Sequence, residues 1–281
     1  MYGMIGININ TSVLDMHTAG QVSGRKPSHP VGLANYLALF KSPDFQHSFI
    51  NLIGFTVAFL AGTLVIGFVW AWLLDRPIKG EGIFRSVFLF PMAVSFVASG
   101  VVWRWLLNSA EGQGASGLNR LFEMTGLTFL ENSWTQDTTF GILAIALPAI
   151  WQLAGYVMAL FLAGFRGIPD DLREAARVDG AGHARIFFTI ILRLVAPILA
   201  VVGLLSFISS VNEFVIASVV LGGNPRTQTL AVGLYQFVSQ LFNTNFPVFT
   251  AGAVLAAIPV MALFLYLQRH IVSGLTAGAV K

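Results

Sequence analysis

Long uninterrupted apolar segments are the feature that most restricts the fold of this chain. Five are long enough to cross a membrane core, which takes about 20 residues of α-helix. They cover approximately residues 49–74, 86–107, 139–165, 195–221 and 247–268. Only 10% of the residues are charged, whereas a soluble domain carries about 25%. The sequence therefore predicts an all-α, polytopic bundle of transmembrane helices with about five spans.

The composition also argues against several functions. The chain contains no cysteine, which excludes disulfides and thiolate metal ligands. It has no Gly-x-x-x-x-Gly-Lys loop for ATP and no clustered metal-binding histidines. A net charge of +3 is too small to indicate a nucleic-acid partner. We therefore expect no metal, no cofactor bound by this chain and no enzymatic activity of its own.

The distribution of basic residues predicts how the chain is oriented in the membrane. Segments 75–85 and 166–194 and the tail after residue 268 contain three, five and two Lys or Arg residues, ten in all. The loops that would lie on the opposite side contain only Arg120 and Arg226. Cytoplasmic loops are enriched in Lys and Arg. The more basic side, with the C-terminus, is therefore predicted to be cytoplasmic.

The N-terminal part is predicted to be distinct from the rest. Residues 1–47 would form a tail, and residues 48–281 the transmembrane domain. The predicted orientation places the tail outside, although it contains Arg25 and Lys26 and no span precedes it. Either a first transmembrane helix is missing, or the tail is cytoplasmic and the first span is misassigned. Residues 33–41 predict a short amphipathic helix on the membrane surface.

A charged segment, residues 166–194, separates two apolar spans. Pro169, Asp170 and Asp171 favour the start of a helix, and Gly180 can end it. A second helix is expected to lead into the next span. The small side chains of the first helix would let a partner approach closely. From the residues alone, a docking surface and an ordinary amphipathic loop explain the segment equally well.

Residues 174–197, EAARVDGAGHARIFFTIILRLVAP, resemble the EAA loop of ABC importer permeases. Glu-Ala-Ala, Asp-Gly-Ala and an Ile/Leu-rich stretch occur in that family at this spacing. The family's loop forms a coupling helix that sits in a cleft of the ATP-binding subunit. Arg193 stands where the family usually has proline, which bears on the kink before the next span. The resemblance implies coupling roles for Glu174, Ala175, Ala176, Asp179, Gly180 and Ala181.

The flanking sequences extend the resemblance over residues 32–281. GLANYLALFKSPDFQHSFIN resembles carbohydrate permeases, and TQTLAVGLYQF resembles their maltose-type members. The resemblance implies a type I importer permease, a family that usually has six or more spans. It implies a multi-pass protein of the inner membrane with a second homologous permease as its partner. Further implied partners are two ATP-binding subunits, which hold ATP and Mg²⁺, an extracytoplasmic sugar-binding protein and membrane lipid.

Polar and aromatic residues inside the spans are candidates for the substrate path. Polar groups are costly in lipid and normally face the bundle interior. Asn212 and Glu213 lie in the fourth predicted span. Gln152, Trp151 and Tyr156 lie in the third, and amides and aromatic rings suit sugars. Interhelical hydrogen bonding explains the polar pair equally well, and a position at the bilayer interface explains the aromatic pair.

Two kinds of local feature are expected within the spans. Trp103 and Trp105 are interpreted as part of an aromatic belt, with Arg104 extending its charge towards water. The helices are expected to bend at prolines inside the spans, since neighbouring helices tolerate such kinks. These prolines are Pro91, Pro148 and Pro259.

Three other functions compete with the importer permease. A stand-alone secondary transporter or channel would need an ionisable group within the membrane, and Glu213 is the candidate. A truncated permease that folds only with its partner would explain an absent first helix. A membrane scaffold that only mediates interactions would explain less of the sequence.

Overall fold

The computed structural model describes most of the chain. The described residues are 2–16, 18–22, 24–110, 114–137, 140–168, 171–172, 174, 178, 180, 182, 185–221, 226–239 and 245–279. Within these ranges the protein is built from helices, and its only β-type pairing is an isolated bridge between Leu14 and Pro30. The predicted all-α fold is confirmed.

The described helices are named here in chain order. Before the third span they are α1 (Tyr2–Ser12), α2 (Ala19–Val22), α3 (Ala34–Lys41), α4 (Pro43–Leu74), α5 (Glu81–Ala93), α6 (Phe96–Leu106) and α7 (Gly117–Thr125). The remaining ones are α8 (Gly141–Arg166), α9 (Ala196–Val211), α10 (Val215–Val220), α11 (Leu230–Ser239) and α12 (Phe246–Ala279). Further helical segments are a 3₁₀ turn, Thr128–Leu130, a π-helix, Ile186–Ile191, and a single α-helical turn, Leu192–Leu194.

The predicted number of spans is confirmed. Among the described residues, α4, α8, the α9–α10 pair and the first part of α12 are long and apolar enough to cross a membrane. The broken pair of α5 and α6 can form a fifth span. Two of the predicted spans are not continuous helices. The second span breaks at Val94 and Ser95, just after Pro91, and the fourth is interrupted between Val211 and Val215.

Only one of the three prolines lies next to a break. Pro91 precedes the break at Val94 by one turn, although the helical hydrogen bond that a proline removes lies in the turn before it. By contrast, α8 and α12 continue through Pro148 and Pro259. Proline by itself therefore does not decide where these helices end.

The chain forms two compact units, and four of the five boundaries between them fall within helices, while the fifth lies at the break between α5 and α6. One unit contains Met1–Val57, Phe96–Pro148 and Ser209–Met261. The other contains Ala58–Ser95, Ala149–Ile208 and Ala262–Lys281. The predicted boundary at residue 47, between tail and transmembrane domain, stays a prediction.

The unit that starts at Ala58 has an apolar core between α4, α5, α8 and α9. Phe68 packs edge-on against Phe161 and Phe165, with ring centroids 5.8 and 5.6 Å away. Trp70 stacks on Phe88 at 4.3 Å. Glycines bring the backbones close, since α4 presents Gly62 to Ile150 and Gly67 to Val157. Both contacts advance along α4 and α8 together, so the two helices run in the same direction.

In the unit that starts at Met1, one asparagine organises the segment between α6 and α8. Asn119 is fully buried. Its Nδ2 donates to the carbonyl of Asn132 at 3.0 Å, and its Oδ1 accepts from the Trp134 indole at 2.7 Å. Gly117 has a positive φ of 59°, and a β-carbon there would collide with the backbone of Leu106. Sequence reasoning missed this cluster, because nothing local distinguishes Asn119 from a surface asparagine.

The same unit holds the N-terminal segment. Asn35 is buried and donates from Nδ2 to the carbonyls of Ser12 and Leu14, both at 2.9 Å. These bonds fasten α1 to α3. The helix predicted at 33–41 is confirmed as α3, and it exposes Leu33, Leu37 and Phe40. Its position on the membrane surface stays a prediction, and sequence analysis did not predict helix α1.

A glycine-to-alanine comparison tests the packing of α8. We expect Gly155→Ala to destabilise the protein by about 1–3 kcal/mol, because the new β-carbon would collide with the Phe88 carbonyl. Gly203→Ala is the matched control, since a β-carbon at that helical glycine meets nothing. Thermal unfolding in detergent measures both. Equal melting temperatures for the two variants would contradict the packing described above.

Candidate coupling and translocation sites

The EAA-like segment, residues 166–194, is described at only some positions. Glu174 is exposed. Gly180 has a φ of 75°, in the left-handed region that favours glycine, which agrees with the predicted turn. Four of the predicted coupling residues lie outside the described residues, namely Ala175, Ala176, Asp179 and Ala181. The coupling role of all six stays a prediction.

The second half of this segment is helical, as predicted, but its geometry is unusual. Ile186–Ile191 form a π-helix, and a single α-helical turn, Leu192–Leu194, follows. Val195 separates that turn from α9. Arg193, at the place of the family's usual proline, is exposed within the turn. The irregular backbone therefore lies between Ile186 and Val195, and π-helical turns occur frequently at functional sites.

An ion-pair cluster holds the end of α8, where the EAA-like segment begins. Arg166 Nη2 donates to Glu81 Oε1 at 2.8 Å and to the carbonyl of Leu74 at 3.2 Å. Arg85 also binds Glu81 Oε1, at 3.2 Å. These side chains are partly exposed, so each pair stabilises the fold by no more than about 1 kcal/mol. The cluster instead holds the end of α8 against the end of α4 and the start of α5.

Glu213 and Asn212 lie at the break between α9 and α10 rather than inside a continuous span. Glu213 Oε1 accepts hydrogen bonds from the backbone N–H of Ile216 at 2.9 Å and of Ala217 at 3.3 Å. The carboxylate thus satisfies N–H groups of the first turn of α10, which have no partner within the helix. The Thr229 hydroxyl donates to the Glu213 carbonyl at 2.7 Å. Glu213 therefore has a structural role at the break, and its predicted contact with substrate stays a prediction.

Gln152 binds the backbone at the break between α5 and α6. Its side chain is buried, and Nε2 donates at 3.0 Å to the carbonyl of Val94, the residue that follows α5. Gln152 Oε1 is buried and has no partner among the described residues. Trp151 and Tyr156 are half-buried on the same helix, whereas Asn212 is exposed.

Sequence reasoning missed two polar groups near these sites. Asn51 Nδ2 donates to the carbonyls of Arg226 and Gln228, at 2.9 and 3.1 Å. Together with the bond from Thr229 to Glu213, these bonds hold residues 227–229, which are buried and precede α11. The signal available in the sequence was the polar TQT triplet at 227–229, next to an apolar stretch. In the described part of the chain, no group of three or more potential metal ligands occurs.

Sequence comparison identifies relatives of the chain. It is 33% identical over 231 residues to a probable ABC transporter permease of Pyrococcus horikoshii, covering 82% of this chain and 76% of the relative. It is 30% identical to the trehalose/maltose transport system permease of Thermococcus litoralis, covering 75% of this chain and 70% of that protein. Identity reaches 46% with the galactooligosaccharides transport system permease of Bacillus subtilis, across 41% of this chain and 40% of the relative.

Solved structures show the same fold. A bacterial ABC transporter involved in the import of the acidic polysaccharide alginate matches with a TM-score of 0.71 at 18% identity, covering 85% of this chain and 82% of that one. Residues 63–277 match a family described as binding-protein-dependent transport system inner membrane component. That match covers most of the chain and includes both broken spans and the EAA-like segment. The chain therefore belongs to the family of binding-protein-dependent transport system inner membrane components.

Proposed function

We infer that this chain is the permease subunit of an ATP-driven ABC importer that carries a sugar across the cytoplasmic membrane. Membership of the binding-protein-dependent family supports this function, as do relatives named for trehalose/maltose and galactooligosaccharide transport. A second permease, two ATP-binding subunits and an extracytoplasmic sugar-binding protein would complete the importer. The C-terminus would lie in the cytoplasm, on the side with more basic residues.

The observation that carries the coupling mechanism is the EAA-like segment between α8 and α9. Its first half presents the exposed Glu174 and a turn at Gly180. Its second half passes through the π-helix and the turn Leu192–Leu194 into α9. We propose that the ATP-binding subunits grip the first half and move it when they close. The second half would pass this motion to α9, so that the substrate path opens on alternate sides of the membrane.

In this mechanism the end of α8 transmits force to the neighbouring helices. Arg166 fastens that end to Glu81 and to the last carbonyl of α4. A force applied to the segment would therefore act on α4, α5 and α8 together. ATP and Mg²⁺ would be bound by the partner subunits, and this chain would contribute movement and a path rather than chemistry.

The competing secondary transporter has less support. Ion coupling through Glu213 would require its carboxylate to exchange protons or ions freely. Two backbone N–H groups of α10 occupy Oε1 of that carboxylate. Sugar uptake into liposomes that contain this chain without ATP-binding subunits, driven by a proton gradient alone, would favour the secondary transporter.

The turn at Gly180 can be tested by substitution. Gly180→Val places a β-branched residue at a φ of 75°, which costs about 1–2 kcal/mol for a residue other than glycine. We expect the turn to change and ATP-driven sugar uptake by the reconstituted importer to fall at least about tenfold. Gly182→Val is the control, because Gly182 is exposed, lacks a positive φ and has open space at its β-carbon. Normal uptake by Gly180→Val would contradict the proposed role of the turn.

The charge of Glu174 gives a second test. We expect Glu174→Lys to weaken binding of the ATP-binding subunits, because an exposed negative charge at the docking surface becomes positive. Recovery of those subunits with the tagged permease measures the effect. Asp171→Lys makes the same change at another exposed acid of the segment. Equal loss of the subunits in both variants would indicate a general charge effect and argue against a specific contact at Glu174.

Gln152 is proposed to act by positioning the break in the second span. Gln152→Met removes the donor to the buried Val94 carbonyl and should destabilise the protein by about 1–3 kcal/mol. Thermal unfolding and sugar uptake are both measured. Gln46→Met is the control, since Gln46 also donates to a backbone carbonyl, that of Phe40, but at an exposed site. Reduced uptake with unchanged stability would show that Gln152 contacts the substrate and does not stabilise the break.

A further inference from the structure

A groove of about 510 Å³ lies at the end of α6, beside α10 and the segment that leads to α8. It belongs entirely to the unit that starts at Met1. The positive-inside distribution predicts that this end of α6 is extracytoplasmic. The groove is lined by Val101, Arg104, Trp105, Leu107, Asn108, Ser109, Thr135, Gln136, Val220 and Leu221.

The lining of the groove combines apolar and polar residues. Val101, Leu107 and Val220 belong to the spans or lie directly at their ends and form its apolar part. Ser109, Thr135 and other residues of the connecting segments form its polar rim. A ligand that fits both parts must itself have an apolar and a polar end.

Two polar side chains in the groove have no partner within the part of the chain that the structure describes. Arg104 forms no ion pair or hydrogen bond with any described residue, and neither does the Gln136 amide. The other rim residues bind within the protein, as when Ser109 donates to the Ser133 carbonyl at 3.0 Å. The groove thus offers one unpaired guanidinium, which prefers the oxygens of a phosphate or carboxylate.

The groove is continuous with a surface that suits lipid. Val97, Val101 and Trp105 follow one another at four-residue spacing on α6 and are 55%, 58% and 60% exposed. Such a stripe on a membrane span faces acyl chains, and tryptophan is enriched at the level of the headgroups. The unpaired cation therefore lies at the polar end of an apolar stripe. A neutral sugar would gain little from that charge and nothing from the stripe.

We propose that this groove binds the headgroup of an anionic phospholipid such as phosphatidylglycerol. The Arg104 guanidinium binds the phosphate, and the Gln136 amide donates to a headgroup oxygen. Val101 and Trp105 contact the first carbons of the acyl chains. A bound lipid of this kind would hold the end of α6 against α10, where Gly100 packs on Val219.

The test is a titration of the full chain in detergent with short-chain phosphatidylglycerol, phosphatidylcholine and inorganic phosphate, followed by tryptophan fluorescence. Subtracting the signal of Trp105→Phe isolates the response at the groove. We expect phosphatidylglycerol to bind best and Arg104→Gln to weaken that binding at least about tenfold, the loss expected for one charge-assisted contact. Arg104→Lys should retain part of the affinity.

The control variant is Arg120→Gln, which removes an arginine that already pairs with Glu123 at 2.6 Å. Its phosphatidylglycerol affinity should equal that of the unmodified chain. Equal affinity for inorganic phosphate would make the groove a simple anion site and overturn the lipid assignment. Unchanged lipid affinity in Arg104→Gln, with loss of a copurifying partner protein, would overturn it in favour of a protein contact. If Arg104→Gln does not fold, Gln136→Leu replaces it, and unchanged lipid affinity in that variant would count against the site.

Discussion

The absence of water in the bilayer core is the constraint on which this structure depends. Every backbone N–H and C=O group there needs a partner within the protein, so each interruption of a helix must be compensated. The chain does this with side chains from elsewhere. At the break after α5, Gln152 donates a hydrogen bond to the Val94 carbonyl. At the start of α10, the Glu213 carboxylate accepts one from the Ile216 N–H. Where α4 ends, its last carbonyl is bound by Arg166.

This constraint changes how polar residues inside the spans are interpreted. A glutamine or glutamate in an apolar helix suggests a ligand for the substrate, and the sequence was interpreted in that way. The structure shows that Gln152 and Glu213 each bind a backbone group at a broken span. A structural role and a substrate role are compatible. At a break, backbone groups outside the regular helix lie next to the side chain that binds them, so both are available at one place.

The arrangement also separates regions that can move from regions that must stay rigid. Packed aromatic rings and close glycine contacts join α4, α5 and α8 into a dense core. Beyond the end of α8, the chain enters the EAA-like segment through a partly exposed ion-pair cluster and leaves it through a π-helix. Interdigitated cores resist deformation, and the hydrogen bonds of Arg166 tie the end of α8 to this core. Motion delivered to the segment would therefore displace whole helices instead of deforming them.

The sequence by itself determined the all-α membrane fold, the number of spans, helix α3 and the position of the EAA-like segment, because hydrophobic length and motif spacing are local properties. It did not locate the breaks in the second and fourth spans, since it predicted only a bend at Pro91 and interpreted Asn212 and Glu213 as candidates for the substrate path. Only the tertiary structure decided these breaks, together with the contacts of Asn119, Gln152 and Arg166. Gln152 and Arg166 bind groups that are distant in sequence. Asn119 is buried only because the segment between α6 and α8 folds around it. These contacts therefore depend on tertiary packing.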